Sequence, residues 1–304
     1  MSDQDTGVVD ANTATTDGAE SVTEETTAIT LAQAERDETG LVTAADWGDT
    51  DGDDGFENQS VDDISIPFAL VLQSNSPQLV EGDEKFIEDA RAGWFVNSVT
   101  NEVLGSGQEG FTFIPVHVDH CFKSWAPDRG GFRGRHEAGS PMVMEAKRSG
   151  AAINELKDPE GNDLQESYDI WGLLVPEGTD PSEINESHLI ILPCVSTKIG
   201  PYKKWNTRVS TFQVQNPRTG RKARPPRHAH ALTMKTYLDE NPKGKFFNLV
   251  FEPANGSIAQ SLMTPDDAIF QIATRLRESI VGGAMEANYE SQSTGASGGD
   301  DIPF

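Results

Sequence analysis

Between Ser187 and Leu238 the chain carries no aspartate or glutamate. Ten bases stand in that window: Lys198, Lys203, Lys204, Arg208, Arg218, Arg221, Lys222, Arg224, Arg227 and Lys235. Rings are interleaved with them at Tyr202, Trp205, Phe212 and Tyr237. Cationic side chains neutralise a phosphate backbone, and flat rings accept any base on its π-face. One stacked base contributes roughly 1–3 kcal/mol. The window therefore has the chemistry of a single-strand trough. Lys198, Lys203, Lys204, Arg208, Arg218, Arg221, Lys222, Arg224 and Arg227 are its candidates for phosphate contacts, and Tyr202 and Trp205 its candidates for stacking. The competing reading is a solvated basic loop with its rings buried, which suits Phe212 within Thr211-Phe212-Gln213-Val214. The Pro- and Arg-rich stretch Asn216–His230 reads as a mobile loop that orders on DNA, with His228 and His230 as electrostatic contacts. A second cluster, Phe122-Lys123-Ser124-Trp125 followed by Arg129 to His136, offers Trp125 as a third ring and Arg133 as a further cation. It is either a second wall of the trough or a surface loop.

The last five residues form a second constellation. A Ser/Gly/Thr/Ala linker from Ser291 to Gly299 leads into Asp300-Asp301-Ile302-Pro303-Phe304. Ile302 and Phe304 can fill an apolar pocket, Pro303 stiffens the segment, and Asp300 and Asp301 attract a basic rim. This segment resembles the C-terminal tip of bacterial single-stranded DNA-binding proteins, which end in Asp-Asp-Asp-Ile-Pro-Phe; Gly299 stands where that family has its first acid. The resemblance implies that the tip recruits replication and recombination or repair proteins and competes with DNA for a basic groove. The layout of acidic arm, large core, basic helix-loop and acidic tip is similar to bacteriophage-encoded single-stranded DNA-binding proteins. Within it, Leu192 to Thr197 followed by Lys203-Lys204-Trp205-Asn206 resembles a phage pattern of strand, Ser-Thr and basic helix. An OB-like antiparallel barrel is what this resemblance implies for the core.

Charge must be segregated for such a trough to exist. The 304 residues hold 49 acids and 24 bases, a net charge of −25 that would repel nucleic acid if it were evenly spread. It is concentrated at the ends. Residues 1–63 carry 18 acids and one base, and residues 285–304 carry four acids and no base. The hydrophobic share of 36% is low for a fully packed globule, so part of the chain is expected to be unfolded. The expected organisation is a disordered acidic arm over 1–63, a DNA-binding core over 64–284, and a flexible linker and partner-binding tip over 285–304.

The elements that would position these residues are mostly strands. Ile66–Leu72, Gly93–Val96, Gly110–Phe122, Met142–Ala146, Tyr168–Val175, His188–Val195, Ser210–Val214 and Lys245–Phe251 read as strands, with Gly, Pro, Asn and Asp between them. Periodicity alone gives a mainly β (α+β) core with a few helices, a barrel or a sandwich. One helix is well signalled. Thr264 is its expected N-cap, Pro265 its first residue, Ile269, Ile272, Leu276 and Ile280 its apolar face, and Gly282-Gly283 its stop. A weaker helix covers Thr197–Arg208, with Gly200-Pro201 breaking or kinking it. Trp171 reads as core and Trp205 as surface.

Other chemistries find little support. Cys121 and Cys194 suit a reducing cytoplasm and form no disulfide framework. His117, His120 and Cys121 are close in sequence but lack a second ligand pair at zinc spacing, so neither a metal nor any other cofactor is expected. No Walker loop, nucleophile elbow or dinucleotide fingerprint occurs, and no enzyme activity is expected. No secretory signal and no apolar run long enough for a membrane span is read, so the expected location is cytoplasmic, the host cytoplasm for a phage-encoded chain. The expected function is non-catalytic single-stranded DNA binding in phage replication or recombination. The alternative is a phage structural or adaptor protein whose basic loop binds an acidic protein surface.

Overall fold

The computed structural model describes residues 65–285 except Asp128, Arg129 and Asn216, together with Ala287 and Tyr289. The arm over 1–63 and the tip Asp300–Phe304 lie outside those residues.

The architecture is mainly β with antiparallel sheets. The long strand β4 (Phe111–Trp125) organises it. Its first residues pair with β10 (Leu232–Asn241), most of its length pairs with β6 (Asp163–Val175), and its last five residues also pair with β5 (Phe132–Glu137). β10 and β5 take successive lengths of one edge of β4, and β6 takes the other. Pro115 has no N–H for the ladder, and the register with β6 shifts between Pro115 and His117. Gly172, opposite Pro115, lets the strands come close: a β-carbon there would collide with the Phe113 ring and the Ile114 carbonyl.

Strands β7 (Leu189–Val195) and β11 (Gly244–Pro253) complete a six-stranded sheet ordered β11-β10-β4-β6-β7, with β5 branching from β4. Counted in chain order along that path, the strands run fifth, fourth, first, second, third. A helix lies between the third and the fourth. That is the Greek-key order of an OB-like barrel. Strands β7 and β11 do not pair; helix α2 (Ile199–Thr211) lies against both and fills the seam.

A small meander, β1 (Ala69–Val71), β2 (Phe95–Asn97) and β3 (Val103–Gly105), borders the barrel. Phe68 makes a parallel bridge to Ile191 on β7. At the other side, the Gln73 side chain imitates a strand: its Nε2 donates to the Phe247 carbonyl at 3.1 Å and its Oε1 accepts from the Phe247 N–H at 2.8 Å. The strand alternation sorts two cores. Phe113, Ile170, Ile190, Leu192, Met234 and Leu249 face the interior, closed by α2. Val116, Trp171, Leu173 and Ile191 face outward and are covered by α3 (Ala268–Val281) through Ile272, Ala273, Leu276 and Ile280.

Beneath that outer layer sits a buried ion pair. Lys123 Nζ lies 3.1 Å from Asp169, with side chains 1% and 0% exposed. Ser167 donates to the same carboxylate at 2.5 Å, and the Tyr289 ring lies 4.6 Å above the ammonium. The pair is satisfied on several sides, which a charge in such a place requires.

Several expectations shift. Met142–Ala146 is helical, part of α1 (Pro141–Arg148), because Ser140 caps the Val143 N–H and Pro141 occupies the first turn. Residues 210–211 end helix α2 instead of opening a strand, and only Val214–Gln215 pairs, as β8, with β9 (Lys222–Ala223). Gly200-Pro201 neither breaks nor kinks α2; it falls in the first turn, where a missing N–H costs nothing. Helix α3 starts at Ala268, three residues after Pro265, since Asp267 folds back onto the Thr264 N–H and hydroxyl. Its apolar face and Gly282 end are where the periodicity puts them.

Candidate nucleic-acid interface

Helix α2 divides the basic window into two faces. Tyr202, Trp205 and Val209 recur at three and four residues, so they share one side of the helix, and all three are buried. Lys203, Lys204 and Arg208 fall on the opposite side and are exposed, with Thr207 among them. Arg218, Arg221, Lys222 and Arg224 are exposed on the β8–β9 ribbon and its turn, which follow α2 directly. The described part of the window thus offers seven outward cations from two consecutive elements.

Several expected contacts are placed otherwise. Tyr202 and Trp205 are 3% and 4% exposed, and Trp125 is 8% exposed. Trp205 stacks on Phe251 at 5.5 Å between ring centres, and Trp125 packs edge-on against Phe132 at 5.7 Å. Rings sealed in this way present no face to a base, so the open trough lined by Tyr202 and Trp205 is not the arrangement found. Lys198 is also buried, at 7% exposure, in the 3₁₀ turn that precedes α2. The spacing of Tyr202, Trp205 and Val209 carries the signal for this; reading Pro201 as a breaker hides it.

Arg227 is a strut. Its guanidinium donates to Asn206 Oδ1 at 3.1 Å and Tyr202 Oη at 3.4 Å, and lies 5.9 Å from the Trp205 ring centre. It ties the stretch after the ribbon back onto α2. His228 and His230 are buried, and burial, with Arg277 near the first and Arg227 near the second, holds both below the ordinary histidine range. They are neutral near pH 7 and bring no charge to the surface. Arg133 is exposed on β5, remote in sequence from the ribbon.

Two residues missed by sequence reasoning hold rings at the edge of this surface. His120 and Tyr168 are direct cross-strand partners on β4 and β6, and their rings stack at 4.1 Å with a 7° interplanar angle. Lys203 from α2 sits 5.1 Å from the Tyr168 ring centre. Glu166 accepts from His120 Nε2 at 2.9 Å. Burial, and then the neighbouring Glu166 carboxylate, push the Tyr168 phenol up to about 12, so it stays protonated. On β10, Tyr237 is 42% exposed and donates to Asp239 at 3.0 Å; Asn248 hydrogen-bonds the same carboxylate, and this lowers its pKa. Among the described residues no group of three or more His, Cys, Asp or Glu side chains could hold a metal ion. No helix among them is long and apolar enough to cross a membrane.

An OB-like barrel with a cationic helix along its seam is the class of protein these elements define. Residues 36–286 match the model of the Pam3 phage gp34-like protein family. The chain belongs to that family and is thus a phage protein. No curated protein and no solved structure matches it.

Proposed function

We propose that this protein is a non-catalytic single-stranded DNA-binding protein of phage replication or recombination, at work in the host cytoplasm. The observation that carries the reading is the sorting of α2: its rings go to the core, while Lys203, Lys204 and Arg208 point to solvent beside the exposed bases of the β8–β9 ribbon. Cations on consecutive elements can follow a phosphate chain. The OB-like order supports it, because this barrel is widely used to bind oligonucleotides and oligosaccharides. Partner proteins of replication and recombination dock on Asp300–Phe304, a segment that joins two acids to Ile, Pro and Phe.

The test is fluorescence anisotropy with end-labelled oligo-dT, duplex DNA of equal length and poly-glutamate, across a salt series. The reading expects preference for the single strand and affinity that falls steeply with salt. Salt-insensitive or absent binding to the oligonucleotide rejects it. Tighter binding to poly-glutamate than to oligo-dT would instead favour an adaptor that grips acidic protein surfaces. A labelled probe is preferable to intrinsic quenching, since Trp125, Trp171 and Trp205 are buried.

A further inference from the structure

With Tyr202, Trp205 and Trp125 sealed, the cationic surface needs another place to receive bases. A ladder of rings leads there. It runs from Phe251 through Trp205 and Tyr202 to Tyr168, with the last step 4.8 Å between centres, and then to His120 at 4.1 Å. Exposure rises along it: Tyr202 and Trp205 are buried, Tyr168 is half-buried, and the His120 side chain is 36% exposed. Beyond His120 stands Phe122, buried, with Lys147 of α1 placed 4.5 Å from its ring centre. The ladder therefore reaches the surface between a lysine of α2 and a lysine of α1.

Resting on the reading of this chain as a single-strand binder, we propose that the His120–Tyr168 stack is its base-stacking site. Lys203 and Lys147 form its cationic margins, and Glu166 is a positioning residue. The pair is preformed. Direct opposition on β4 and β6 sets the rings side by side, and the hydrogen bond from His120 Nε2 to Glu166 fixes the imidazole plane. A ring already held in place loses little freedom when a base arrives. Tyr237 is the weaker candidate, because it lies off this ladder of rings and its phenol is tied to Asp239 and Asn248.

The experiment compares a labelled oligo-dT with the same oligonucleotide carrying abasic positions, so that phosphates are equal and bases differ. The full-length protein is expected to prefer the base-containing strand. His120→Ala should weaken that binding by about 5- to 150-fold per base stacked there. It should leave affinity for the abasic strand and the salt slope unchanged, and His120→Phe should restore the preference. Glu166→Ala should lower the ratio of base to abasic affinity, and Glu166→Gln, which still accepts from His120, should recover it; a change confined to stability would not move that ratio. If His120→Ala keeps the wild-type ratio, the stack is not the site, although salt-dependent strand binding would still stand. If wild-type protein binds neither strand in a salt-dependent way, the parent reading falls and takes this one with it.

Discussion

Replacing Lys203, Lys204 and Arg208 together by glutamine tests the surface at its centre. All three leave α2 on the side away from the core, and glutamine matches lysine and arginine closely in helix propensity, so the fold should tolerate the change. The Lys203 ammonium near the Tyr168 ring is lost, worth roughly 0.5–1 kcal/mol at a site this open. Binding should change far more. Single-strand affinity scales with salt to a power of about −0.7 per phosphate neutralised. If the helix cations and Arg218, Arg221, Lys222 and Arg224 all engage, the slope is about −5, and affinity falls about 900-fold between 50 and 200 mM salt. The triple variant keeps four contacts, a slope of about −3, and a fall of about 50-fold over the same range. Anisotropy titrations of oligo-dT at four or more salt concentrations measure this directly. A triple variant with the wild-type slope would refute the claim that this helix face holds the phosphates.

Trp205→Ala should destabilise the protein by about 3–5 kcal/mol in urea unfolding, because it empties a buried site between α2 and Phe251; a loss under about 1 kcal/mol would return Trp205 to the surface. Asp169→Asn leaves Lys123 buried without its counter-charge and should cost about 3–5 kcal/mol, whereas the paired replacement Lys123→Met with Asp169→Leu should recover much of that loss in the same assay. Acid should weaken the fold. His117, His228 and His230 are all held below the ordinary histidine value, chiefly by burial, so the unfolded chain binds more protons than the native one below about pH 6.5. Thermal midpoints should therefore fall as pH drops from about 6.5 toward the lowered native values, and His228→Gln with His230→Gln should flatten that decline; a flat profile in the wild type would contradict the burial of these rings.

The long strands were legible because their alternation is strong. Phe113 and Ile114 face opposite cores, and Leu189–Val195 is apolar almost throughout because both of its faces are covered. Helix α3 was legible from its period and its glycine stop, although Asp267 and not Thr264 proved to be the cap. Met142–Ala146 misled because a short apolar run fits either period, and only Ser140-Pro141 before it distinguishes a helix start. Strand β10 escaped notice: its Lys235 and Tyr237 had been grouped with the basic window, yet its pairing with β11 decides its conformation. At the site, charge was legible and ring exposure was not. Tyr202, Trp205 and Val209 take the buried side of α2, so Lys203, Lys204 and Arg208 had to face out once the helix formed, whereas Lys198, just before it, is buried. The spacing of Trp205 with Tyr202 and Val209 signals a buried side once α2 is read as unbroken, but that its ring stacks on Phe251 depends on where β11 lies. His120 and Tyr168 stand 48 positions apart and meet only through the register of β4 and β6.

The amide of Gln73 closes part of an open strand edge in a way that another strand would not. A strand that joins another leaves a fresh row of donors and acceptors on its far side, so one association prepares the next. A carboxamide makes its two bonds to Phe247 and then stops, offering no continuation. The Asn248 Oδ1 accepts from the neighbouring Leu249 N–H at 2.9 Å. At Phe247 and Leu249, therefore, these groups of the β11 border are taken and offer nothing to a strand from a second molecule.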